Sequence, residues 1–196
     1  MRIVAIDFDG TLADTNGVKA AWIERHLGKR VAPWKCNRSD CVPIIGTENY
    51  ARMGAAVYGR ECTLRTPEVP GALEAVRLLA RRAELFVVTA RGPERMGFAR
   101  EWLENSNVLG CFTGMLSSKG TSKSQVCSTL NADALVDDDV RHLRDAGEHP
   151  FLKLHLQYGR EEQSQPDSPI IFCQSWDEVL RTLTPGFISK GAEPSD

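Results

Sequence analysis

The feature that most constrains the fold is an apolar run near the start of the chain that ends in two aspartates. Residues 3–6 read IVAI, and Asp7, Asp9 and Gly10 follow at once. A β-branched apolar run bounded by turn-forming residues is typical of a strand buried on both faces of a sheet. Side chains alternate along a strand, so carboxylates two residues apart point the same way. The pattern predicts a buried strand whose carboxyl end carries concentrated negative charge.

The paired carboxylates predict a cation at this strand end. Crowded carboxylates are unfavourable unless a cation or a shared proton relieves their repulsion. Mg²⁺ suits this position because it takes oxygen ligands and retains several waters. Gly10 allows the chain to leave the strand through a conformation that other residues resist. An Asp-x-Asp-Gly sequence is also an ordinary turn after a strand, so on this evidence alone both interpretations stay open.

The rest of the chain alternates between helical and strand patterns. Helices are predicted over residues 71–82, 93–105, 123–130 and 176–183, and strands over 84–88, 111–116, 134–136, 151–156 and 169–173. This alternation implies a parallel sheet with right-handed crossovers. The sequence therefore predicts an α/β fold, a Rossmann-like parallel sheet with helices on both faces.

One stretch breaks the alternation. Residues 16–68 contain no strong strand signal, but they show helical spacing over 16–30, which Gly28 ends, and over 47–59, with Thr47 as candidate N-cap. They predict a small helical cap inserted after the first strand, where it covers the mouth of the site. The predicted division is a core of residues 1–15 and 69–184, a cap of 16–68 and a loose tail of 185–196.

Composition narrows the partners. A net charge of −2 argues against a nucleic-acid polymer, and no apolar run is long enough for a membrane span. No leader precedes the first strand, so we expect a cytoplasmic protein. The six cysteines form no C-x-x-C pair and are expected to be free thiols. Cys36, Cys41 and Cys62 share the predicted cap, where a metal site or disulfide is a minor alternative because their spacing fits no zinc pattern.

Polar residues gather where the predicted buried strands end or the next helices begin. They are Asp7 with Asp9, Thr89, Lys123, and Asp137 with Asp138. Each has an ordinary structural explanation: a helix cap for the threonine, a solvated surface residue for the lysine, and a helix start for the later aspartates. The carboxyl ends of parallel strands meet at one sheet edge, so the set predicts a shared site.

The combined set suits phosphoryl transfer. Carboxylates can hold Mg²⁺, which screens a negative phosphate from a negative nucleophile. An aspartate can form an aspartyl-phosphate, and a second carboxylate can protonate the leaving group and then activate water. A hydroxyl and a lysine can donate to phosphate oxygens as charge develops. The expected partner is a small phosphorylated molecule; the sequence does not predict the oligomeric state.

These four motifs resemble those of the haloacid dehalogenase superfamily of phosphatases. Residues 7–11 (DFDGT) match its first motif, Thr89 in VVTAR its second, Lys123 its third and the acidic pair 137–138 its fourth. The resemblance covers roughly residues 1–183, and the cap matches only in position and size. It implies a Mg²⁺-dependent phosphomonoester hydrolase with a haloacid-dehalogenase-like core.

The resemblance also implies roles for the aspartates. Asp7 would be the nucleophile and Asp9 the general acid and base. Asp7, the backbone carbonyl of Asp9 and Asp138 would hold Mg²⁺. Asp137 is the alternative ligand, and Asp139 is an extra acid beside the pair.

Further residues would bind the phosphoryl group by the same resemblance. They are Thr89 and Lys123, with Ala90 and Arg91 as candidate additional residues of the second motif. Lys119 competes with Lys123, which is preferred because it begins a helix that leads directly to the fourth-motif strand.

Within this resemblance, the acid at position 9 indicates which type of reaction the protein catalyses. Dehalogenases of the superfamily lack an acid there, because a halide leaves without a proton. Asp9 therefore fits hydrolysis of a phosphomonoester, or a phosphomutase as an alternative. A non-catalytic relative that binds a phosphorylated ligand is the other alternative.

Several later segments are similar to the bacterial branch of 5′(3′)-deoxyribonucleotidases, namely TAR, KSQVCSTLNADALVDDD and SWDEVL. That similarity makes a nucleoside monophosphate a candidate substrate. The cap aromatics that would then stack on a base are Trp22, Trp34, Tyr50 and Tyr58. Arg52 or Arg60 would meet a second anion.

Overall fold

A six-stranded sheet forms the centre of the molecule. The computed structural model describes residues 2–144, 151–158 and 170–184, so the predicted tail of 185–196 lies outside the described residues. The strands are β1 (Arg2–Ile6), β2 (Ala83–Thr89), β3 (Gly114–Ser117), β4 (Ala134–Asp137), β5 (Leu152–Leu156) and β6 (Ile170–Cys173). All pairs are parallel, in the order β3-β2-β1-β4-β5-β6. The predicted parallel sheet is therefore confirmed.

Helices occupy the connections between the strands. They are α1 (Thr15–Leu27), α2 (Arg38–Ile45), α3 (Thr47–Val57), α4 (Arg60–Arg65), α5 (Ala72–Leu79), α6 (Pro93–Asn105), α7 (Lys123–Leu130), α8 (Val140–Arg144) and α9 (Trp176–Leu183). Short 3₁₀ turns lie at Pro33–Lys35 and Leu109–Cys111. None of the helices in these described ranges has the length and apolar run that crossing a bilayer requires.

Both faces of β1 are covered, which explains its uninterrupted apolar sequence. Val4 and Ile6 belong to a hydrophobic cluster with Trp102 of α6 and Trp176 of α9. Ala5, on the opposite face, belongs to a second cluster that includes residues of α7 and α8. A central parallel strand buried in this way needs apolar residues at every position.

The stretch predicted as a cap contains helices α1–α4 and has a hydrophobic cluster of its own. That cluster includes Ile23, Met53 and the cysteines Cys36 and Cys41, and the six cysteines of the chain are free thiols. Gly28 ends α1 with a φ of 63°, as predicted. The packing of side chains across short helices, and not a long amphipathic pattern, holds this part together.

Some predicted boundaries were wrong. The N-cap of α3 is Gly46, and Thr47 is already the first helical residue, so the predicted side-chain cap is absent there. Helices α4 and α8 were not predicted; with six and five residues they are too short to show a clear helical period. None of these differences moves the strand ends at which the polar residues gather.

Candidate active site

The carboxyl ends of β1 and β4 bring two aspartates together around one lysine. The backbone N–H of Asp7 donates to the carbonyl of Val136 at 2.9 Å, which fixes the two strand ends side by side. Nζ of Lys123 lies 2.7 Å from Oδ1 of Asp7 and 2.6 Å from Oδ2 of Asp137. Ser122 caps α7 by accepting the N–H of Gln125, so the helix begins where its first residue can reach both carboxylates.

A third carboxylate, that of Asp138, completes the cluster. Oxygen atoms of Asp7, Asp137 and Asp138 all lie within 4.8 Å of one another. Nδ2 of Asn16 donates to Oδ2 of Asp138 at 2.6 Å, and the backbone N–H of Asp138 donates to the Thr11 hydroxyl at 3.1 Å. The cap helix α1 therefore helps to orient a carboxylate that belongs to the sheet edge.

Gly10 allows the first loop to pass close to this cluster. Its φ is +84°, and a Cβ at this position would lie 2.4 Å from both Asn16 Nδ2 and Asp138 Oδ2. A side chain would meet both steric overlap and backbone strain there. The glycine is required by the close approach of the loop to Asp138.

The electrostatics of the cluster are unbalanced. Burial raises the pKa of Asp7 to about 6, although Lys123 opposes the shift. Burial, with the charges of Asp137 and Asp7, raises the pKa of Asp138 well above its usual range. Burial also acts to raise the pKa of Asp137, but Lys123 and His142 outweigh it and lower the pKa to about 2. Three carboxylates, two of them buried and one half-buried, gather around one ammonium, and this oxygen-rich excess of negative charge suits a divalent cation.

The three carboxylates differ in how many hydrogen bonds and ion pairs they already form with the protein. Asp137 binds Lys123, accepts the backbone N–H of Asp139 at 2.9 Å, and has Nδ1 of His142 3.2 Å from both of its oxygens. Asp7 and Asp138 line the large cleft described below, whereas Asp137 does not. An ion that enters from the cleft therefore meets Asp7 and Asp138 first.

Asp9 is held by a buried arginine. Nε and Nη2 of Arg91 donate to its two oxygens at 2.8 and 2.7 Å, and the Thr15 hydroxyl donates at 2.7 Å. Burial acts to raise the pKa of Asp9, but Arg91, with Lys19 and Thr15, lowers it below its usual range. Nη1 of Arg91 also donates to the Thr63 hydroxyl of α4 at 3.0 Å. Arg91 therefore links the sheet edge to the cap, a role that its position after Thr89 did not predict.

The phosphate-binding candidates are placed differently from one another. Lys123, and not Lys119, forms the ion pair with Asp7; Lys119 is exposed and its side chain lies over Gly92. The Thr89 hydroxyl is fully buried and accepts the backbone N–H of Arg91 at 3.2 Å. Thr89 does not line the cleft, whereas the following residues, Ala90 and Arg91, do.

A cleft of about 840 Å³ lies between the sheet edge and the cap. Lys19, Tyr50 and Tyr58 form part of its cap wall. Lys19 was missed by the sequence analysis, although a signal was present: Asn16 and Lys19 are three residues apart on α1 and therefore share a face directly after the first motif.

The other cap predictions have mixed outcomes. Trp34 lines a smaller neighbouring pocket of about 280 Å³, and Trp22 stacks on His26 with ring centres 4.4 Å apart. Arg60 forms an exposed ion pair with Glu101 of α6, and Arg52 is exposed beside Asn49. Neither arginine lines the cleft, so its geometry does not support the prediction that one of them meets a second anion.

The fold has many counterparts among solved structures. No protein-family model matches this sequence, and no curated protein does. A haloacid dehalogenase-like hydrolase from Streptococcus pneumoniae aligns over 94% of this chain and 99% of its own, with 19% identity and a TM-score of 0.66. A predicted phosphoglycolate phosphatase from Haemophilus somnus aligns over 94% and 98%, with 17% identity and a TM-score of 0.63.

A third structure has a different chemistry in its name. It is the L-2-haloacid dehalogenase of Xanthobacter autotrophicus with chloropropionic acid covalently bound, which aligns over 93% of this chain and 98% of its own, with 13% identity and a TM-score of 0.60. One fold thus serves a named phosphatase and a named dehalogenase, and it does not by itself choose between them. None of the three is called a nucleotidase, so that resemblance stays a prediction. The chain has the fold of the haloacid dehalogenase-like hydrolases, as its four motifs predicted.

Proposed function

We propose that this protein is a Mg²⁺-dependent phosphomonoester hydrolase that acts on a small phosphorylated metabolite through an aspartyl-phosphate on Asp7. One observation carries the proposal: Asp7 and Asp138 meet at the floor of a cap-covered cleft, with Lys123 bound to Asp7. Carboxylates that can hold a cation, beside an ammonium that can bind an anion, suit a phosphate ester.

The residues that would hold Mg²⁺ are Asp7, Asp138 and the backbone carbonyl of Asp9. The excess of buried negative charge supports this assignment, as does the engagement of Asp137 with Lys123 and His142. Asp137 then acts mainly by fixing Lys123. When bound, the metal screens the phosphate charge from the nucleophile and draws electron density from the phosphoryl oxygens.

The first half of the reaction transfers the phosphoryl group to the protein. An oxygen of Asp7 forms a bond to phosphorus while the ester P–O bond breaks, and the leaving alcohol oxygen takes a proton from Asp9. Lys123 donates to a phosphoryl oxygen as its charge grows. Ala90 and Arg91 line the cleft beside this position, and Thr89 supports that loop from below.

The second half returns Asp7 to its carboxylate form. Asp9 takes a proton from water, the water oxygen bonds to phosphorus, and the bond between phosphorus and Asp7 breaks to release phosphate. Arg91 and Thr15 hold Asp9 as a carboxylate, the form this step requires. A negative phosphoryl group nearby raises the pKa of Asp9 again, which lets it carry the proton to the next leaving group.

Asp9 also supports phosphatase over dehalogenase chemistry. An alkoxide leaving group needs a proton, whereas a halide does not, and Asp9 lines the cleft where that proton would be delivered. A dehalogenase has no use for a buried acid kept in position by Arg91 and Thr15. Release of chloride from 2-chloropropionate, without phosphate release from any monoester, would contradict the proposal.

The test is a phosphate-release screen over sugar phosphates, nucleoside monophosphates and aryl phosphates, with Mg²⁺ and with EDTA. We expect turnover with Mg²⁺ that EDTA removes. Asp7→Asn should lower kcat by about 10³-fold or more, because the amide oxygen cannot replace the carboxylate as nucleophile. Circular dichroism and thermal unfolding check that the variant is folded. Near wild-type activity of folded Asp7→Asn would show that Asp7 is not the nucleophile.

A further inference from the structure

The cap wall of the cleft carries a buried ammonium that the proposed reaction does not use. Lys19 of α1 is only 5% exposed, and its Nζ donates to Oδ1 of Asn16 at 3.3 Å. Among the described residues, no carboxylate lies within the 4.0 Å of an ion pair with Lys19. Burial acts to lower the pKa of Lys19, but Tyr58, Tyr50 and Asp9 outweigh it, so that the pKa lies above its usual range. Lys19 also has a hydrogen bond to Tyr58, and Asp9 acts on it from beyond ion-pair distance while Arg91 binds that carboxylate directly. A buried ammonium without a carboxylate in direct contact is favoured by an anion that enters the cleft.

Two arginines add positive charge near Lys19: Arg38 belongs to the cap helix α2, and Arg95 belongs to the core helix α6 and lies against Tyr58 of the cap. Arg38 and Arg95 line the same cleft, and within the described part of the chain neither forms an ion pair. By contrast, three other cations that line the cleft each bind a carboxylate: Arg91 binds Asp9, Lys123 binds Asp7, and Arg141 binds Asp139. Three cations near the cleft carboxylates are therefore paired, whereas, within the described ranges, Lys19, Arg38 and Arg95 are not. Lys119, an exposed lysine of the core, also lines the cleft and forms no ion pair among the described residues.

The tyrosine rings of the cap wall are already in contact with cations. Nζ of Lys19 lies 5.4 Å from the centre of the Tyr58 ring, and the guanidinium carbons of Arg91 and Arg95 lie 5.3 and 5.6 Å from it. Arg38 lies 5.9 Å from the centre of the Tyr50 ring. The cations at these distances surround both rings with positive charge. This positive surrounding favours a negative group beside the rings.

We propose that the substrate carries a second anionic group, a carboxylate or a phosphate, besides the phosphoryl group transferred to Asp7, and that Lys19 binds it with help from Arg38 and Arg95. The inference rests on the proposed function, because it names the substrate class of the same site. Hydrogen bonds between charged groups contribute enough to favour such a substrate about tenfold or more. A nucleoside monophosphate has no anionic group besides its phosphate and does not fit this class.

The wild-type enzyme is tested with substrate pairs that differ in charge. 4-Carboxyphenyl phosphate is compared with 4-carbamoylphenyl phosphate, which has nearly the same shape without the second charge. 1,3-Propanediol bisphosphate is compared with propyl phosphate in the same way, and thymidine 5′-monophosphate represents the nucleotides. We expect kcat/KM to be at least about tenfold higher for the charged member of at least one pair. The pair that responds identifies the second anion as a carboxylate or a phosphate.

Lys19→Met tests the residue, and Lys35→Met is its matched control. Lys35 is an exposed lysine of the same cap and does not line the cleft. The preference for the charged member should fall to within about twofold in Lys19→Met, mainly through KM, and should be unchanged in Lys35→Met. Arg38→Met is a second variant, because Arg38 is exposed and its removal does not disturb the fold; it should reduce the preference about threefold.

The outcomes separate the two proposals. If wild-type protein hydrolyses no monoester with Mg²⁺, the proposed function fails and this inference falls with it. If it hydrolyses both members of each pair equally, or the thymidine ester fastest, the hydrolase stands and the second-anion site is wrong. If Lys19→Met slows both members of a pair equally, the preference for the charged member is unchanged. Lys19 would then act through Asn16 on Asp138 and not on the second anion, and this result would also overturn the inference.

Discussion

The two walls of the cleft balance their charges in opposite ways. At the sheet edge, Lys123 binds Asp7 and Asp137, and the remaining imbalance is negative. On the cap wall, Lys19 and Arg38 contact aromatic rings and, among the described residues, no carboxylate. The sheet edge therefore needs a cation to be complete, whereas the cap needs an anion. Under the proposed function, the sheet edge carries the chemical step and the cap selects the substrate.

Removal of Lys123 should have the largest effect, since it deletes the ammonium that pairs with the two buried carboxylates of Asp7 and Asp137. Lys123→Met should lower kcat/KM for any monoester by about 10³-fold or more. It should also lower the free energy of unfolding by about 3 kcal/mol, because breaking a buried ion pair leaves uncompensated charge. Mg²⁺ should raise the Tm of this variant more than that of the wild type, because a cation replaces part of the lost charge. Phosphate release and thermal unfolding with and without Mg²⁺ measure the three effects.

Lys119→Met is the matched control for that variant. Lys119 lines the same cleft but is exposed and forms no ion pair with Asp7. Its loss should change kcat/KM by about threefold at most and leave the Tm unaffected. If Lys119→Met is the more damaging of the two substitutions, the sheet edge is not organised around Lys123, and the contrast between the two walls fails.

The sheet edge was predictable because strand geometry fixes it. An apolar run of residues 3–6 with period-two side chains determines where Asp7 projects, and the same argument applies to Asp137, the last residue of β4. A parallel sheet then brings both to one edge. Lys123 follows from the helix start that Ser122 caps. Each of these depends on a local rule that the sequence displays directly.

The cap was less predictable because packing between short helices decides which side chains face the cleft. Lys19 and Arg60 are both cap cations, and only the packing of α1 and α4 shows that the first faces the cleft and the second faces α6. Buried cysteines such as Cys36 replace the large aliphatic residues that would have revealed the buried face. Helix starts were also uncertain: Gly46 precedes α3 without any side-chain cap.

Arg91 tests the comparison between the two walls of the cleft, because it binds Asp9 at the sheet edge and Thr63 of the cap. Arg91→Met should lower kcat/KM by about 10²-fold, since Asp9 loses the two hydrogen bonds that hold it as a carboxylate and the cap loses its bond through Thr63. The free energy of unfolding should fall by about 2 kcal/mol, because the half-buried Asp9 is left with Thr15 as its hydrogen-bond partner and with Lys19 beyond ion-pair distance. Kinetics and urea unfolding measure both effects.

Arg91→Lys separates charge from geometry at the same position. A lysine keeps the positive charge but cannot donate to both oxygens of Asp9 and to Thr63 at once. It should therefore recover more of the stability than of the activity. Wild-type activity in Arg91→Met would mean that Asp9 needs no fixed partner, and that the two walls work independently of each other.

Arg60→Gln should have the smallest effect. A small effect would show that the proposed second-anion site lies on the inner wall of the cleft and does not extend to the outer helices. Arg60 is an exposed cap cation whose partner is Glu101 on the outer side, so its removal should leave kcat/KM and the preference for a doubly anionic substrate within about twofold of wild type. Glu101→Gln removes the same ion pair from the other side and should give the same result. If Arg60→Gln lowers the preference while Glu101→Gln does not, the substrate reaches beyond Lys19 to the outer helices. The cap would then select substrates by its overall positive field and not by one buried ammonium.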